Sequence, residues 1–522
     1  MGLGGLPGSS VAEGREKGLW EAVAAAPNVK LVQYVGAGES EDNGYSAMQN
    51  ILAAHPKGTI NGVWCYNDAL CLGAFRAVRQ AGRDTEIKLA GMDLVPQALD
   101  LIEKKTTYIF STGGHWLQVG FGVMIAYDKI NGHNPIKTDI RLNLIGVNGA
   151  NFETFKKQPA TLRRQAIYAN QQSGHERSNL SASDQVTLRQ TRAADAAPVS
   201  SSIRGVWMPR PMRFFASGEF LSRYVAYLAL ALVVIVLGVL SPDRFLTIGN
   251  LEVVLQNAAV LCIVAIGMTF IIIGGSIDLS VGSVMALSDA ITASFTAALG
   301  AWAFVVSPIV GTILGVISGC IFVFGRIPSF VASLGMLSMA RGATILYTGG
   351  TPVSIPLDSA FYVFGTPPAP FIIAAVTAVV AAALMRYTTF GRYTYAIGGD
   401  EEKSQILGVP VDGVKIAMFV LSGFCAGVGG GVLTSQLGSG SPTIGIGFEL
   451  LAISAVVIGG TPLTGGMGNI IGTVVGSLVI TTLANGLIIL GVSTNVQTIL
   501  TGAVLIVAVM ISIRRGKLRL IK

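Results

Sequence analysis

The sequence predicts a mainly α-helical polytopic membrane protein of about ten transmembrane helices, arranged as two five-helix repeats and preceded by a partial α/β lobe. Three observations carry this. The 522 residues are 51% hydrophobic and only 12% charged, against about 25% charged in soluble domains. The charge is uneven. It is frequent up to Arg223, whereas from Leu251 to Met385 the only charges are Glu252, Asp278, Asp289, Arg326, Arg341 and Asp358. Finally, two Gly-rich segments share one pattern: IIIGGSIDLSVGSVMALS around Gly274 and Gly275, and VVIGGTPLTGGMGNIIGT around Gly459 and Gly460. Broken hydrophobic segments at matching positions in two halves mark transporters built from internal repeats. Gly is also common in membrane helices for packing alone.

Residues 1–155 alternate helix-like and strand-like pieces. VAEGREKGLWEAVAAA, YSAMQNILAAHP, DALCLGAFRAVRQAG, PQALDLIEKKT and HWLQVGFGVMIAYDKING read as helices. KLVQYVG, NGVWCYN, IKLAGMD and YIFSTG read as strands. This alternation predicts a parallel α/β sheet. Ligands on such sheets bind at the carboxyl ends of the strands, which places Asn67, Asp68, Asp93 and His115 at the candidate edge.

CYNDALCLGAFRAVRQAG followed by LAGMDLVPQALDLI is similar to the second lobe of periplasmic sugar-binding proteins of the ribose-binding type. The resemblance implies that Asn67, Asp68, Asp93 and His115 descend from groups that hydrogen-bond sugar hydroxyls in a cleft between two lobes. Asn67 and Asp68 also suit capping of the following helix, and the two roles are compatible. The match begins at GLPGSSVAEGREKG, without a preceding lobe or a secretion signal. The expectation is a vestigial lobe that does not hold sugar by itself.

The five cysteines are scattered. Cys65 and Cys71 lack a second pair or histidines at metal spacing, so neither a metal site nor a disulfide framework is expected. Residues 156–222 form a basic linker and leader. The stretch is polar, rich in Ser, Gln and Arg, and predicts disorder. The formal net charge of +7 concentrates there and in the tail from Arg514 to Lys522, which is membrane-flanking charge rather than a nucleic-acid footprint.

Residues 223–522 carry the spans. A spanning helix needs about 20 mostly apolar residues. The candidates are Tyr224–Leu240, Val253–Ile273, Val281–Leu299, Phe304–Phe324, Val331–Tyr347, Ile372–Met385, Ile416–Ser435, Leu450–Ile458, Ile470–Leu490 and Val496–Ile513. Leu450–Ile458 is too short to cross unless it continues into the neighbouring turn, so the expected count is ten, with eight as the alternative. Arg210, Arg213 and Arg223 put the N-side, and with it the lobe, in the cytoplasm. Arg326, Arg386, Arg392 and the basic tail then also fall on that side.

GGSIDLSVGS, GRYTYAIGGDEEKSQILGVPVDGVKI and ISAVVIGGTPLTGGMGNIIGTVVGSLVI look like the permease subunits of ATP-driven monosaccharide importers of the ribose/xylose/arabinose group. The resemblance covers residues 215–522. It implies a bacterial inner-membrane protein, a second permease copy in a homodimer, cytosolic ABC ATPase subunits and a complete periplasmic sugar-binding protein. It further implies that the loop with Gly399, Asp400, Glu401, Glu402 and Gly408 couples the ATPase to the spans. Physically, acidic residues at the start of that short helix suit its dipole. The chain has no P-loop of the form GxxxxGK[ST], so ATP is expected to be used by the partner and no cofactor is expected on this chain.

Ser276, Asp278, Ser280 and Ser283 in the first broken segment, with Thr461 and Thr464 in the second, are the candidate substrate-pathway residues. A buried carboxylate in lipid is costly and usually functional. Asp278 and Ser280 can equally cap the next helix and satisfy freed backbone groups. Asn485 and Gln497 are candidates for helix–helix hydrogen bonds, and GFCAGVGGGVL for close helix packing. No nucleophile–base pair is visible, so an enzyme is not expected. The competing reading is a membrane-anchored sugar sensor that works through the lobe. The motifs do not select among pentoses, hexoses and polyols.

Overall fold

In the computed structural model, residues 1–5, 9–113, 145–156 and 218–492 are described, with scattered residues between 496 and 510. The α/β alternation becomes one six-stranded sheet of order β2-β1-β3-β4-β5-β6. Its strands are β1 Gly2–Gly4, β2 Tyr34–Gly36, β3 Gly62–Cys65, β4 Lys88–Met92, β5 Tyr108–Gly113 and β6 Ile145–Asn148. All pair in parallel except β6, which runs antiparallel to β5. Helices α1 Ser10–Ala25, α2 Glu41–Ala54, α3 Asp68–Gln80 and α4 Pro96–Glu103 connect the strands, and α5 Phe152–Lys156 follows β6. Leu3, Met48, Leu70, Val78 and Leu89 fill the core with at most 1% exposure. The long helix expected around His115, and most of the linker, lie outside the described residues.

One expectation is corrected. Cys65 and Cys71 form a disulfide. Cys65 ends β3 and Cys71 sits in the first turn of α3, so the strand–helix turn brings their Cα atoms to 5.4 Å, within reach of a bridge.

The apolar half is a helical bundle. Its long helices are α6 Gly218–Leu240, α8 Ile248–Ile273, α9 Val281–Leu299, α10 Val306–Gly325, α11 Ser329–Thr348, α12 Ala369–Tyr387, α15 Val411–Leu437 and α17 Ile470–Ile489. The short α7 Pro242–Phe245 joins α6 to α8, and α13 Thr389–Gly399 and α14 Glu401–Ile406 join α12 to α15. The half-helix α16 is Phe448–Ile458, too short at about 17 Å to cross a bilayer. Six stretches among the described residues are long and apolar enough to cross a membrane. One of these, Val281–Gly325, contains both α9 and α10. The candidate Val496–Ile513 lies mostly outside the described residues.

The bundle is knitted by small residues, as GFCAGVGGGVL predicts. A Cβ on Gly423 of α15 would stand 2.9 Å from the Gly315 Cα of α10, so only glycine permits that approach. Ser307 Oγ bonds the Gly427 carbonyl across the same seam at 2.6 Å. Asn485 Nδ2 donates to Asn250 Oδ1 of α8 at 2.8 Å, the helix–helix bond read from the sequence. Gln497 instead donates to the nearby Val492 carbonyl.

The lobe rests on one end of this bundle through α2 and α3. Gln49 Nε2 donates to Gln256 Oε1 at 3.0 Å, and Asn485 Nδ2 donates to Asn50 Oδ1. Arg76 donates to Tyr362 Oη at 2.7 Å and to the Gly438 carbonyl at 3.1 Å. Gln80 Nε2 donates to the Gly365 carbonyl at 3.1 Å.

Candidate translocation and coupling site

The two broken segments meet at the far end of α8. From Asn250, beside the lobe, to Ile273 is about 34 Å along the helix. There Gly275 turns the chain with φ 75°, and Ser276 N–H closes the turn on the Ile271 carbonyl at 3.0 Å. After α16, Gly460 turns likewise with φ 93°, and Thr461 N–H bonds the Val456 carbonyl at 3.2 Å. Gly466 N–H donates to the Ile273 carbonyl at 2.8 Å, joining the second segment to the first.

The loop that the sequence resemblance marks for coupling enters the same joint. Gly398, near the end of α13, packs so closely on the Ile273 carbonyl that a Cβ would also come within 2.5 Å of the Gly466 nitrogen. Tyr395 Oη donates to the Gly468 carbonyl at 2.7 Å. Asp400 caps α14 by accepting from Lys403 N–H at 3.2 Å, so the acidic start of this helix is a cap, as its dipole favours. Lys415 Nζ holds Glu401 Oε1 at 2.6 Å, while Glu402 lies on the exposed surface. Gly408, at φ 82°, ends the helix. At the tip, Ile406 and Leu407 are 85% and 82% exposed. The sequence reading missed this pair because it weighed the charges of the loop. Two adjacent apolar residues beside a C-terminal glycine were the available signal.

Asp278 is buried, and both of its oxygens are engaged. Oδ1 accepts from Ser280 N–H at 2.9 Å and Ser280 Oγ at 2.6 Å; Oδ2 accepts from Ser422 Oγ of α15 at 2.8 Å. Ser283 Oγ returns to the Ser280 carbonyl at 2.9 Å. These bonds fix the start of α9 and tie it to α15, so this cluster acts first as a polar staple. Ser276 is buried beside it. In the second segment Thr461 is fully buried, and its hydroxyl has no partner among the described residues. Thr464 is exposed.

In the lobe, Asn67 caps α3 by accepting from Leu70 N–H at 2.8 Å. Asp68 is fully buried, and its carboxylate accepts from Tyr108, Ser111 and Val95 N–H. Asp93 remains at the strand edge, paired with Arg15 at 2.9 Å and 22% exposed. Arg15 also donates to the Tyr66 carbonyl and lies over the Tyr66 ring. Arg15 is a second residue that sequence reasoning missed. His115 lies outside the described residues.

Comparison with known proteins decides the larger assignment. Residues 250–509 match the family described as "Branched-chain amino acid transport system / permease component". Over 308 residues the chain is 39% identical to the ribose import permease protein RbsC of Haemophilus influenzae, covering 57% of this chain and 94% of that one. The chain belongs to the sugar import permeases of ABC transport systems. Over 299 residues this permease is also 36% identical to the D-allose transport system permease protein AlsC of Escherichia coli, covering 56% of this chain and 91% of that protein. Residues 1–134 match a periplasmic binding protein domain. A solved solute-binding protein from Actinobacillus succinogenes with bound D-allose is 26% identical, with a TM-score of 0.27, over 29% of this chain and 52% of that one. The permease therefore spans about half the length of that binding protein. The matches to import permeases favour the permease over the anchored sensor.

Proposed function

We propose that residues 223–522 form one half of a homodimeric translocation pathway in the bacterial inner membrane, which moves a monosaccharide or polyol inward. Cytosolic ATPase subunits dock on the short helix between Gly399 and Gly408 and consume the ATP. A complete periplasmic sugar-binding protein delivers the substrate. Residues 156–222 serve as linker and leader, and residues 1–155 as a lobe that does not hold sugar by itself. Ser276, Asp278, Ser280 and Ser283, with Thr461 and Thr464, flank the pathway; the Thr461 hydroxyl is buried without a partner among the described residues, and Thr464 is the exposed member.

The joint of Gly466, Ile273 and Gly398 carries this reading. A push on the coupling helix there meets the backbone of both broken segments, with no flexible side chain between them. Reconstitution with the partner ATPase and a ribose-type binding protein tests it: ATP-dependent uptake of labelled ribose, allose or xylose is expected. Normal uptake in cells lacking the chain would refute it.

A further inference from the structure

Residues 438–447, between α15 and the half-helix α16, lie outside the joint described above. α16 rises about 17 Å of a hydrocarbon depth of about 30 Å, so the remaining depth falls to non-helical backbone. This segment runs along α9: Gly445 packs on the Gly282 carbonyl, and a Cβ on Gly440 would stand 2.6 Å from the Ala290 Cα. Gly282 and Ala290 are about 12 Å apart along the helix, which matches the depth that α16 leaves uncovered. Two charged side chains inside the bundle hold the segment. Asp289 of α9 is fully buried; its Oδ2 accepts from Ser441 N–H at 3.0 Å and its Oδ1 from the Thr434 hydroxyl. One guanidinium nitrogen of Arg341, from α11, donates to the Pro442 and Ile444 carbonyls at 2.6 and 2.7 Å.

Non-helical backbone at membrane depth does not face lipid; it is covered by protein or lines a water-filled cavity. Thr443 is exposed and Ile446 is 70% exposed, even with the lobe in place. The lobe's Glu41 and Asp42 come near enough for their charges to act on Asp289, yet they leave this edge open. The open edge is polar. Thr443 Oγ1 shares a hydrogen bond with Ser441 Oγ at 3.0 Å, and Glu449, half-buried in the first turn of α16, lies where its charge acts on Arg341. Ionisable groups in a membrane bundle face one another or water, so water fits this edge better than lipid or an apolar cover. A hydroxyl beside an exposed aliphatic side chain also suits a sugar, which presents both hydroxyls and C–H faces.

We propose that residues 438–447 line a water-filled stretch of the sugar pathway, with Thr443 and Ile446 facing the passing sugar and Arg341 positioning them. The proposal rests on the import reading above. The test uses the full chain with its ATPase in proteoliposomes, carrying Thr443→Cys or Ile446→Cys, and a charged, membrane-impermeant maleimide as the probe. Val379→Cys, on a residue 69% exposed on the apolar α12, is the comparison, and labelling is read above that of the wild-type cysteines. Both segment positions are expected to react at least about tenfold faster than Val379→Cys. Labelling Thr443→Cys should also stop ATP-driven uptake of ribose, allose or xylose by a protein that transported before the reagent was added, so a folding defect cannot mimic the result. Arg341→Met should speed the labelling of Thr443→Cys about tenfold by freeing two carbonyls, and Arg341→Lys, which keeps a charged donor, should speed it less. Segment cysteines that react no faster than Val379→Cys would overturn the proposal, as would full uptake after complete labelling. Equal rates with Arg, Lys and Met at position 341 would overturn the positioning role. If wild type itself fails to import, the import reading falls, while the labelling rates still decide whether the segment stands in water.

Discussion

The backbone N–H of Gly466 donates to the carbonyl of Ile273 at 2.8 Å, across 193 positions of sequence. This one bond brings together the two segments whose likeness is visible in the sequence, and Gly398 of the coupling arm closes on the same carbonyl. A Gly398→Val change inserts a side chain where backbone already fills the space, and overpacking of this kind costs about 1–3 kcal/mol. Uptake in proteoliposomes is expected to fall on the order of tenfold or more while the ATPase still co-purifies. Unchanged uptake would remove the joint from the coupling route.

The apolar tip of the coupling helix makes a separate prediction. Ile406 and Leu407 are almost fully exposed, and burying such a side chain is worth about 1.5–3 kcal/mol. Ile406→Ser and Leu407→Ser should each weaken ATPase association by about tenfold or more, measured by titrating the ATPase onto nanodisc-held permease. Glu401→Lys is a poorer probe, since it also breaks the bond to Lys415. Equal association in wild type and both serine variants would place the contact elsewhere.

Asp278 separates stapling from a need for charge. Its carboxylate takes three donors, and removal of a buried acceptor costs about 1–3 kcal/mol for the donors left behind. Asp278→Leu should lower the detergent melting temperature clearly. Asp278→Asn, with one oxygen kept, should lower it less. Full transport by the Asn variant would show that the segment needs hydrogen bonds but no negative charge.

These tests also mark what the sequence makes legible. Apolar runs locate the helices because burial in lipid forces continuous hydrophobic segments, and the Gly-Gly pairs locate both breaks. Strand–helix alternation locates the sheet. Contacts between distant residues are another matter. Nothing in the local pattern of Asp278 points to Ser422, and nothing in Asp93 points to Arg15. The Cys65–Cys71 bridge depends on a strand–helix turn that cysteine spacing does not encode. Nor does any local pattern point Gln49 to Gln256 or Arg76 to Tyr362. Positive charge reports the orientation of spans, and carries no information about which surface a soluble lobe fits.

The acidic pair in the lobe predicts a pH dependence. Burial pushes the Asp68 carboxyl from 3.8 up to about 7, against hydrogen bonds from Tyr108, Val95 N–H and Ser111, with the Asp93 charge adding to the rise. Burial likewise pushes Asp93 from 3.8 up to about 6, opposed by Arg15, with Glu39 adding to the rise. Both values are raised on folding, so the folded lobe binds more protons than the unfolded chain between these limits. The stabilisation is therefore complete below 3.8 and is lost as pH rises through about 6 for Asp93 and about 7 for Asp68. Hydrogen exchange of the β3 and β4 amides in the full chain, corrected for intrinsic rates, should show stronger protection near the acid limit than above pH 7. Asp93→Asn should flatten the lower part of that slope. Arg15→Ala removes a charge that favours the ionised form and should carry the loss to higher pH. Protection independent of pH in all three proteins would mean that neither carboxyl changes its proton affinity on folding.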